Sequence, residues 1–556
     1  MGVWQQVYDP FSNKALSTLV AAIPILLLLI LIATNKVKAY WAAALALVLT
    51  FAFAVHFFTM PAEMAAKSTV LGAVNGFWTI GWIILNVLFL YRLTVEKGLF
   101  AVFQHSLGRV TADRRLQILL IPFCFGAFFE GAAGFGTPVA VASAMLMGLG
   151  FSPLTAAAMS LFANTATVAF GALGAPINGL SQSSGLDPMS LGQAIGIQSV
   201  PFSIIIPFYM LWIFCGWKKT WEVWPAIMVA ALSFTIPQFL ISYFSNPYIV
   251  DIASGGISMA GLALFLRVWK PRTIMTDPAM RFADNSHSDV KPPAPLEALP
   301  TGGQIVRAWL PWVILCVVLA FWASGYWKAL GNSWFDPVYH VPGLDKMINA
   351  VPPVVTKVTP QAGAFSWSIL TYSGSGVLFS GLIAGLLMGF SPITLIQRWF
   401  QTLYAVRYPL ITITLMLSLA ALTGSSGIQG TLGLAFAATG ALFPFFSAVL
   451  GWLGVAATGS DTSANVLFGG LQVVAAHQAH FNPLLMAAAN STGGCMGKII
   501  AIASIVIAAA ATGWHGSEGK ILRFVLPSAI LMGVLVGILV MLQAYVWPFT
   551  LTVPSM

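Results

Sequence analysis

Long apolar runs separated by short, mostly basic segments recur along this chain from one end to the other. Runs at about 16–33, 40–58 and 70–91 are each long enough, as helices, to approach or cross a hydrocarbon core of ~30 Å. Arg92, Lys97, Arg109, Arg114 and Arg115 follow the third run, and an almost uncharged block from Leu116 to Gly216 ends at Lys218-Lys219. Runs near 224–245 and 252–269 close on Arg267, Lys270 and Arg272. The apolar pattern then stops from Pro271 to Arg307, where Asp277, Asp284, His287, Asp289 and Lys291 appear among prolines. It resumes at about 308–327, yields to a polar external loop over 328–363, and continues through 364–390, 408–423, 429–446, 447–478, 483–512 and 523–548. The pattern predicts an all-α polytopic membrane protein with about 12–14 transmembrane helices.

The same pattern divides the chain into a first transmembrane half (1–270), a polar connecting loop (271–307) and a second half (308–556). A repeat links the halves. Phe151-x-Pro153-Leu154-x-x-Ala157-Ala158 returns as Phe481-x-Pro483-Leu484-x-x-Ala487-Ala488, and Gly134 and Thr137 return as Gly459 and Thr462. The repeats are expected over about 116–216 and 408–519. The few basic residues of the second half leave their relative orientation open.

Composition sharpens the class. Of 556 residues 58% are hydrophobic and only 7% charged, against about 25% in a soluble domain. The net charge of +9 comes from residues between the apolar runs, which suits cytoplasmic loops under the positive-inside rule and shows no continuous basic face for nucleic acid. Lys36 and Lys38 follow the first run and no clear small-residue cleavage site does, so that run reads as a retained helix with the N-terminus outside the cytoplasm. Cys124, Cys215, Cys316 and Cys495 are isolated in apolar sequence, without metal-ligand or disulfide spacing.

Two stretches break their own helices inside apolar runs. One is Phe128-Phe129-Glu130-Gly131-Ala132-Ala133-Gly134-Phe135-Gly136-Thr137-Pro138; the other is Ala457-Thr458-Gly459-Ser460-Asp461-Thr462-Ser463-Ala464-Asn465. Backbone released from a helix in lipid must be buried in protein or line a cavity. Paired interruptions in two halves point to a transporter's binding site. A carboxylate at such depth costs roughly 2.5–3.5 kcal/mol on insertion scales, so Glu130 and Asp461 are candidates for proton coupling. The bland alternative is an acid that has slid to the interface.

Lys498, in Asn490-Ser491-Thr492-Gly493-Gly494-Cys495-Met496-Gly497-Lys498, could attract an anionic substrate, pair with Asp461, or snorkel from a helix end. Asn164, Thr165, Gly134, Gly136, Ser460, Thr462, Ser463, Asn490, Thr492 and Gly493 are the other candidate substrate-binding positions. Polar side chains and freed N–H groups at helix starts suit a carboxylate or hydroxyl there. The competing reading is small-residue helix packing with interhelical hydrogen bonds. His477 and His480 fall in the loop of the second repeat, and His56 and His105 read as interfacial. No HExxH or Walker motif occurs, so the residues argue against an enzyme and ask for no metal or cofactor.

These motifs resemble the lactate permease family, bacterial proton symporters for L-lactate, D-lactate and glycolate. The resemblance rests on Trp4-Gln5-Gln6-x-Tyr8-Asp9-Pro10, Phe129-Glu130-Gly131-Ala132-Ala133-Gly134-Phe135-Gly136, Asn164-Thr165-Ala166 and Val168-Ala169-Phe170-Gly171-Ala172. It continues through Leu450-Gly451-Trp452-Leu453-Gly454-Val455, Thr458-Gly459-Ser460-Asp461-Thr462-Ser463, Ala488-Ala489-Asn490-x-Thr492-Gly493-Gly494 and Gly497-Lys498. It implies a multi-pass transporter of the bacterial cytoplasmic (inner) membrane that imports a small 2-hydroxymonocarboxylate with protons. Its partners would be that substrate, protons and membrane lipid; homo-oligomerisation is left open. Departures fall near the site: Ile499-Ile500-Ala501 replaces a polar, proline-bearing stretch, Thr167 a proline, and Gly424-Ser425-Ser426-Gly427 an Asn-Tyr-Ser-Gly. A sodium-coupled carboxylate carrier, a channel and a membrane-embedded lipid-modifying enzyme are the rival readings.

Overall fold

The computed structural model describes residues 2–33, 37–102, 110–134, 136–276, 301–323, 327, 337–355, 357–367, 370–514 and 517–554. Most of the polar loop 271–307 therefore lies outside the described residues, as do His105, Arg109, Lys36 and Phe135. Among the described residues, 11 helices are long and apolar enough to cross a membrane, or up to 13 if each of two bent pairs is one span. The chain is a multi-pass membrane protein.

Close helix contacts depend on missing side chains. In the continuous span Ala62–Glu96, Gly72 and Gly76 lie one turn apart against the helix Arg407–Ser426. A Cβ on Gly72 would fall 2.6 Å from the Leu417 carbonyl oxygen, so the two backbones touch. Lipid tails are as apolar as leucine, and such close approach is what holds membrane helices together. Between Gly76 and Gly81 the same helix widens into a π turn, and the Thr79 hydroxyl donates to the Asn75 carbonyl at 2.6 Å.

The two faces of the molecule are easily told apart. On one, the N-terminal strand β1 (Trp4–Gln5) pairs in parallel with β3 (Ile348–Ala350), which pairs antiparallel with β4 (Thr359–Pro360). Beside it β2 (Val338–His340) pairs with β5 (Ala364–Ser366). The stretch expected as a plain external loop is thus partly a β cap, and it shares its face with the N-terminus. On the opposite face Arg115 binds Asp113, Glu222 and the carbonyls of Lys219 and Thr273. The 28-residue helix Pro188–Cys215, roughly 42 Å long at 1.5 Å per residue, joins these faces.

Two boundaries and one helix differ from the pattern's expectation. The run 364–390 begins as strand and becomes helix only at Ser373–Leu387. The run 429–446 splits into a short helix Ile428–Ala437 and the start of a span, Phe443–Thr458, because Gly427 (φ 88°) and Gly440 (φ 59°) turn the chain. Helix Pro392–Ala405 was not expected. It turns Leu395 inward and leaves Ile393, Ile396 and Phe400 exposed, as suits a helix lying along a membrane interface.

Candidate functional site

Each of the two broken stretches forms a hairpin. The first descends through Arg114–Ile118, a π segment Leu119–Phe125 opened around Pro122, and Gly126–Ala132. It turns at Gly134 (φ 59°) and Gly136 (φ 79°) and returns as Thr137–Gly148. The Arg114 guanidinium lies 5.2 Å from the Phe151 ring centre, so both limbs end on the Arg115 face. The chain then enters again as Pro153–Asn164 and bends by 63° into the helix ending at Ser184. At that bend Ala172, Leu173 and Gly174 are all left-handed, costing of order 1–3 kcal/mol for each non-glycine residue.

The second hairpin, Phe443–Thr458 and Asp461–Gln478, turns at Gly459 (φ 74°). Its base sits on the β-cap face, where Gln478 bonds the Pro353 carbonyl and the Tyr545 hydroxyl bonds the Ala441 carbonyl at 2.8 Å. Pro483–Ile500 follows and bends by 43° into Ile502–Ala511. The hairpins enter from opposite faces, so the matching motifs are inverted relative to one another. The loop charges had left this undecided.

Three buried ionisable groups gather where the hairpin tips and bends meet. Glu130 is 4% exposed and accepts a 2.7 Å hydrogen bond from Asn164 Nδ2. It also presses on Gly171, where a Cβ would fall 2.5 Å from Glu130 Oε1. Asp461 opens its helix just after the Ser460 cap, whose hydroxyl accepts from the Ser463 amide. Asp461 Oδ2 accepts from Ser491 Oγ at 2.7 Å and Asn465 Nδ2 at 3.1 Å, whereas Oδ1 is buried without a partner among the described residues. Lys498 is buried at the second bend, and its ammonium donates to the Gly459 carbonyl at 2.6 Å. It lies within electrostatic reach of both acids yet forms no ion pair with either. The cation therefore answers to both hairpins.

Comparison with known proteins gives the family. The family model for L-lactate permease matches residues 17–547. The chain belongs to the L-lactate permease family. It is 42% identical over 551 residues to the L-lactate permease of Salmonella typhimurium, covering 98% of this chain and 99% of that one. It is 40% identical over 554 residues to the glycolate permease GlcA of Escherichia coli strain K12, and 40% over 563 residues to the L-lactate permease of Bacillus subtilis. Each pairing covers 98% of this chain and 99% of the relative. Among solved structures, the Alcanivorax borkumensis YdaH transporter aligns over 85% of this chain and 87% of that one at 15% identity and TM-score 0.45, too loosely to carry an argument.

The other positions expected in this permease's site divide by what they touch. Gly134 packs on Ala172, and Gly136 on Ile507 of the helix Ile502–Ala511, so each glycine lets the hairpin tip approach a neighbouring broken helix. Thr165 is buried at the first bend, its hydroxyl donating to the Phe162 carbonyl at 2.7 Å. Thr462 and Ser463 lie beside Asp461 in the first turn of its helix, with Thr462 against Gly179 of the helix ending at Ser184. Asn490 bonds Asn465 and Gln472; Thr492 bonds Gln198; and Gly493 faces the Ala448 carbonyl, 2.1 Å from where its Cβ would be. The last three thus serve contacts between helices.

Asn465 and Ser491 carry more of the site than the sequence reading gave them. Asn465 Nδ2 also reaches the Pro176 carbonyl at 3.2 Å, and its own carbonyl accepts from Ser183 Oγ at 2.8 Å. It ties the second hairpin to the helix ending at Ser184, beside the acid. The i, i+4 spacing from Asp461 to Asn465, one face of one helix, was the available signal.

Proposed function

We propose that this permease imports a small 2-hydroxymonocarboxylate by proton symport across the bacterial cytoplasmic (inner) membrane, with L-lactate as the first substrate to test and D-lactate and glycolate beside it. The observation that carries the reading is Lys498, a buried cation that faces both acids and pairs with neither. A substrate carboxylate supplies the missing counter-charge, and the first-turn N–H groups beside Ser460 and Asp461 add donors for the same anion. Glu130 or Asp461 carries the proton, so that the loaded protein moves a monoanion with one proton and no net charge. The names of the relatives support the substrate class.

Sodium coupling is the nearest rival, because unwound carbonyls such as that of Gly459 also suit a cation. Uptake of radiolabelled L-lactate into proteoliposomes decides between them. A pH gradient alone should drive accumulation, about tenfold per pH unit for one proton per substrate. Accumulation that needs sodium and ignores the pH gradient would overturn the reading. Uptake without saturable counterflow would indicate a channel.

A further inference from the structure

A third buried acid lies against the first hairpin, unassigned by the reading above. Asp251 is the second residue of the helix Val250–Val268 and is 0% exposed. Among the described residues neither of its carboxyl oxygens has a hydrogen-bond partner, and the hydroxyl of Ser254, one turn on along the same face, has none either. Glycines bring this helix onto the hairpin. A Cβ on Gly131 would fall 2.6 Å from the Ile252 nitrogen and 2.7 Å from Asp251 Cβ, and one on Gly255 2.3 Å from the Phe128 nitrogen. Asp251 therefore packs against the residue that follows Glu130.

An acid in the first turn of a helix is often no more than a partner for the helix dipole. Such a carboxylate ordinarily accepts from the free N–H groups of that turn, and Asp251 accepts from none. A buried charge without donors or a counter-ion is poorly tolerated, whereas a protonated carboxyl is a modest polar group. The ionisable groups within reach are Glu130 on the hairpin and Cys495 on Pro483–Gly497; Cys124 lies farther along, bonded by Ser258. None of these is a cation. Lys498 acts on Glu130 instead.

We propose that Asp251 is a proton-carrying residue that passes its proton to Glu130. Asp251 makes no hydrogen bond to Glu130 in this structure, so a water or a turn of the carboxyl bridges the transfer, in which the Asp251 O–H bond breaks and a Glu130 O–H bond forms. Asp251 is left as a carboxylate, which takes its next proton from water when the transport cycle opens a path. Glu130 returns to the carboxylate form when it releases the proton inside. The proposal rests on the proton-symport reading.

The test uses the full chain in proteoliposomes with radiolabelled L-lactate. Wild-type accumulation driven by a pH gradient establishes the reading beneath; if wild type ignores the gradient, that reading fails and takes the proposal with it. With wild type responding, D251N should keep lactate counterflow within about twofold while its pH-driven accumulation ratio falls from about ten per pH unit to near one. D251E should restore accumulation, since it returns the acid. Accumulation by D251N equal to wild type would overturn the proposal. Loss of counterflow in both D251N and D251E would make Asp251 a packing residue and overturn it equally. A pH profile of exchange identical in D251N and wild type counts against it as well.

Discussion

Asn164 Nδ2 donates to Glu130 Oε2 at 2.7 Å, joining the first hairpin to the bend of the neighbouring broken helix. The other amide atom, Asn164 Oδ1, is buried without a partner among the described residues. The donor thus serves the acid while the acceptor is left unused within the described structure.

Removing that donor should damage transport more than folding. A hydrogen bond to a charged group contributes about 1.5–3 kcal/mol, so Asn164→Ala should slow proton-driven uptake by roughly 10–100-fold. Asn164→Gln, which keeps the amide, should lose less. Gly171→Ala should act on the same carboxylate from its other side, because the added methyl meets Glu130 Oε1. Initial uptake rates normalised to protein in the membrane check all three, and rates equal to wild type would remove Asn164 from the mechanism.

Lys498 should set apparent affinity. Truncating one partner of a buried, hydrogen-bonded charge pair costs about 2–5 kcal/mol, so Lys498→Gln should raise the Km for lactate by roughly 30-fold or more. Glutamine can still donate to the Gly459 carbonyl, which spares the bend. An unchanged Km in a well-expressed variant would confine Lys498 to holding Gly459 in place.

The clamp at the base of the first hairpin should govern stability. Arg115 and Asp113 are each 1% exposed and pair at 2.8 Å; Arg115→Ala strands the Asp113 carboxylate and should cost about 3–5 kcal/mol. Glu222, the half-exposed partner of Arg115, should contribute under about 1 kcal/mol. The hydrogen bond from Arg115, then that from Thr273, holds the Glu222 carboxyl below its usual value. A depressed folded-state value means this contribution is full above the unfolded value, about 4.3, and is lost as pH falls through the folded one. Thermal unfolding in detergent should therefore show a fall in Tm on acidification below that value that is smaller in Glu222→Gln than in wild type. Identical slopes would show that the contact contributes nothing.

Membrane insertion is decided segment by segment, and this is why so much of the permease could be read along the chain. A run of apolar residues long enough to span, a basic loop, and a glycine or proline that breaks a helix each act within about twenty positions. Glu130 and Asp461 stood out for the same local reason: an acid inside an apolar run is costly wherever its neighbours lie. The two repeated motifs were likewise visible as spacing alone.

What the residues do to one another was decided only by tertiary structure. Asp251 lies just before the run at 252–269 and draws no notice there; only when its helix is laid on Gly131 is it an acid buried without a hydrogen-bond partner among the described residues. Asn490, Thr492 and Gly493 have the composition of a binding turn, yet in lipid small and polar residues are also what lets helices touch, and only the fold shows that they meet Asn465, Gln198 and Ala448. The opposite entry of the two hairpins depends on which face each base reaches, through contacts such as Arg114 with Phe151 and Gln478 with Pro353, made between segments distant in sequence or in the fold. Hydropathy fixes that a segment crosses; only packing between segments fixes its neighbours, and at this site the neighbours make the chemistry.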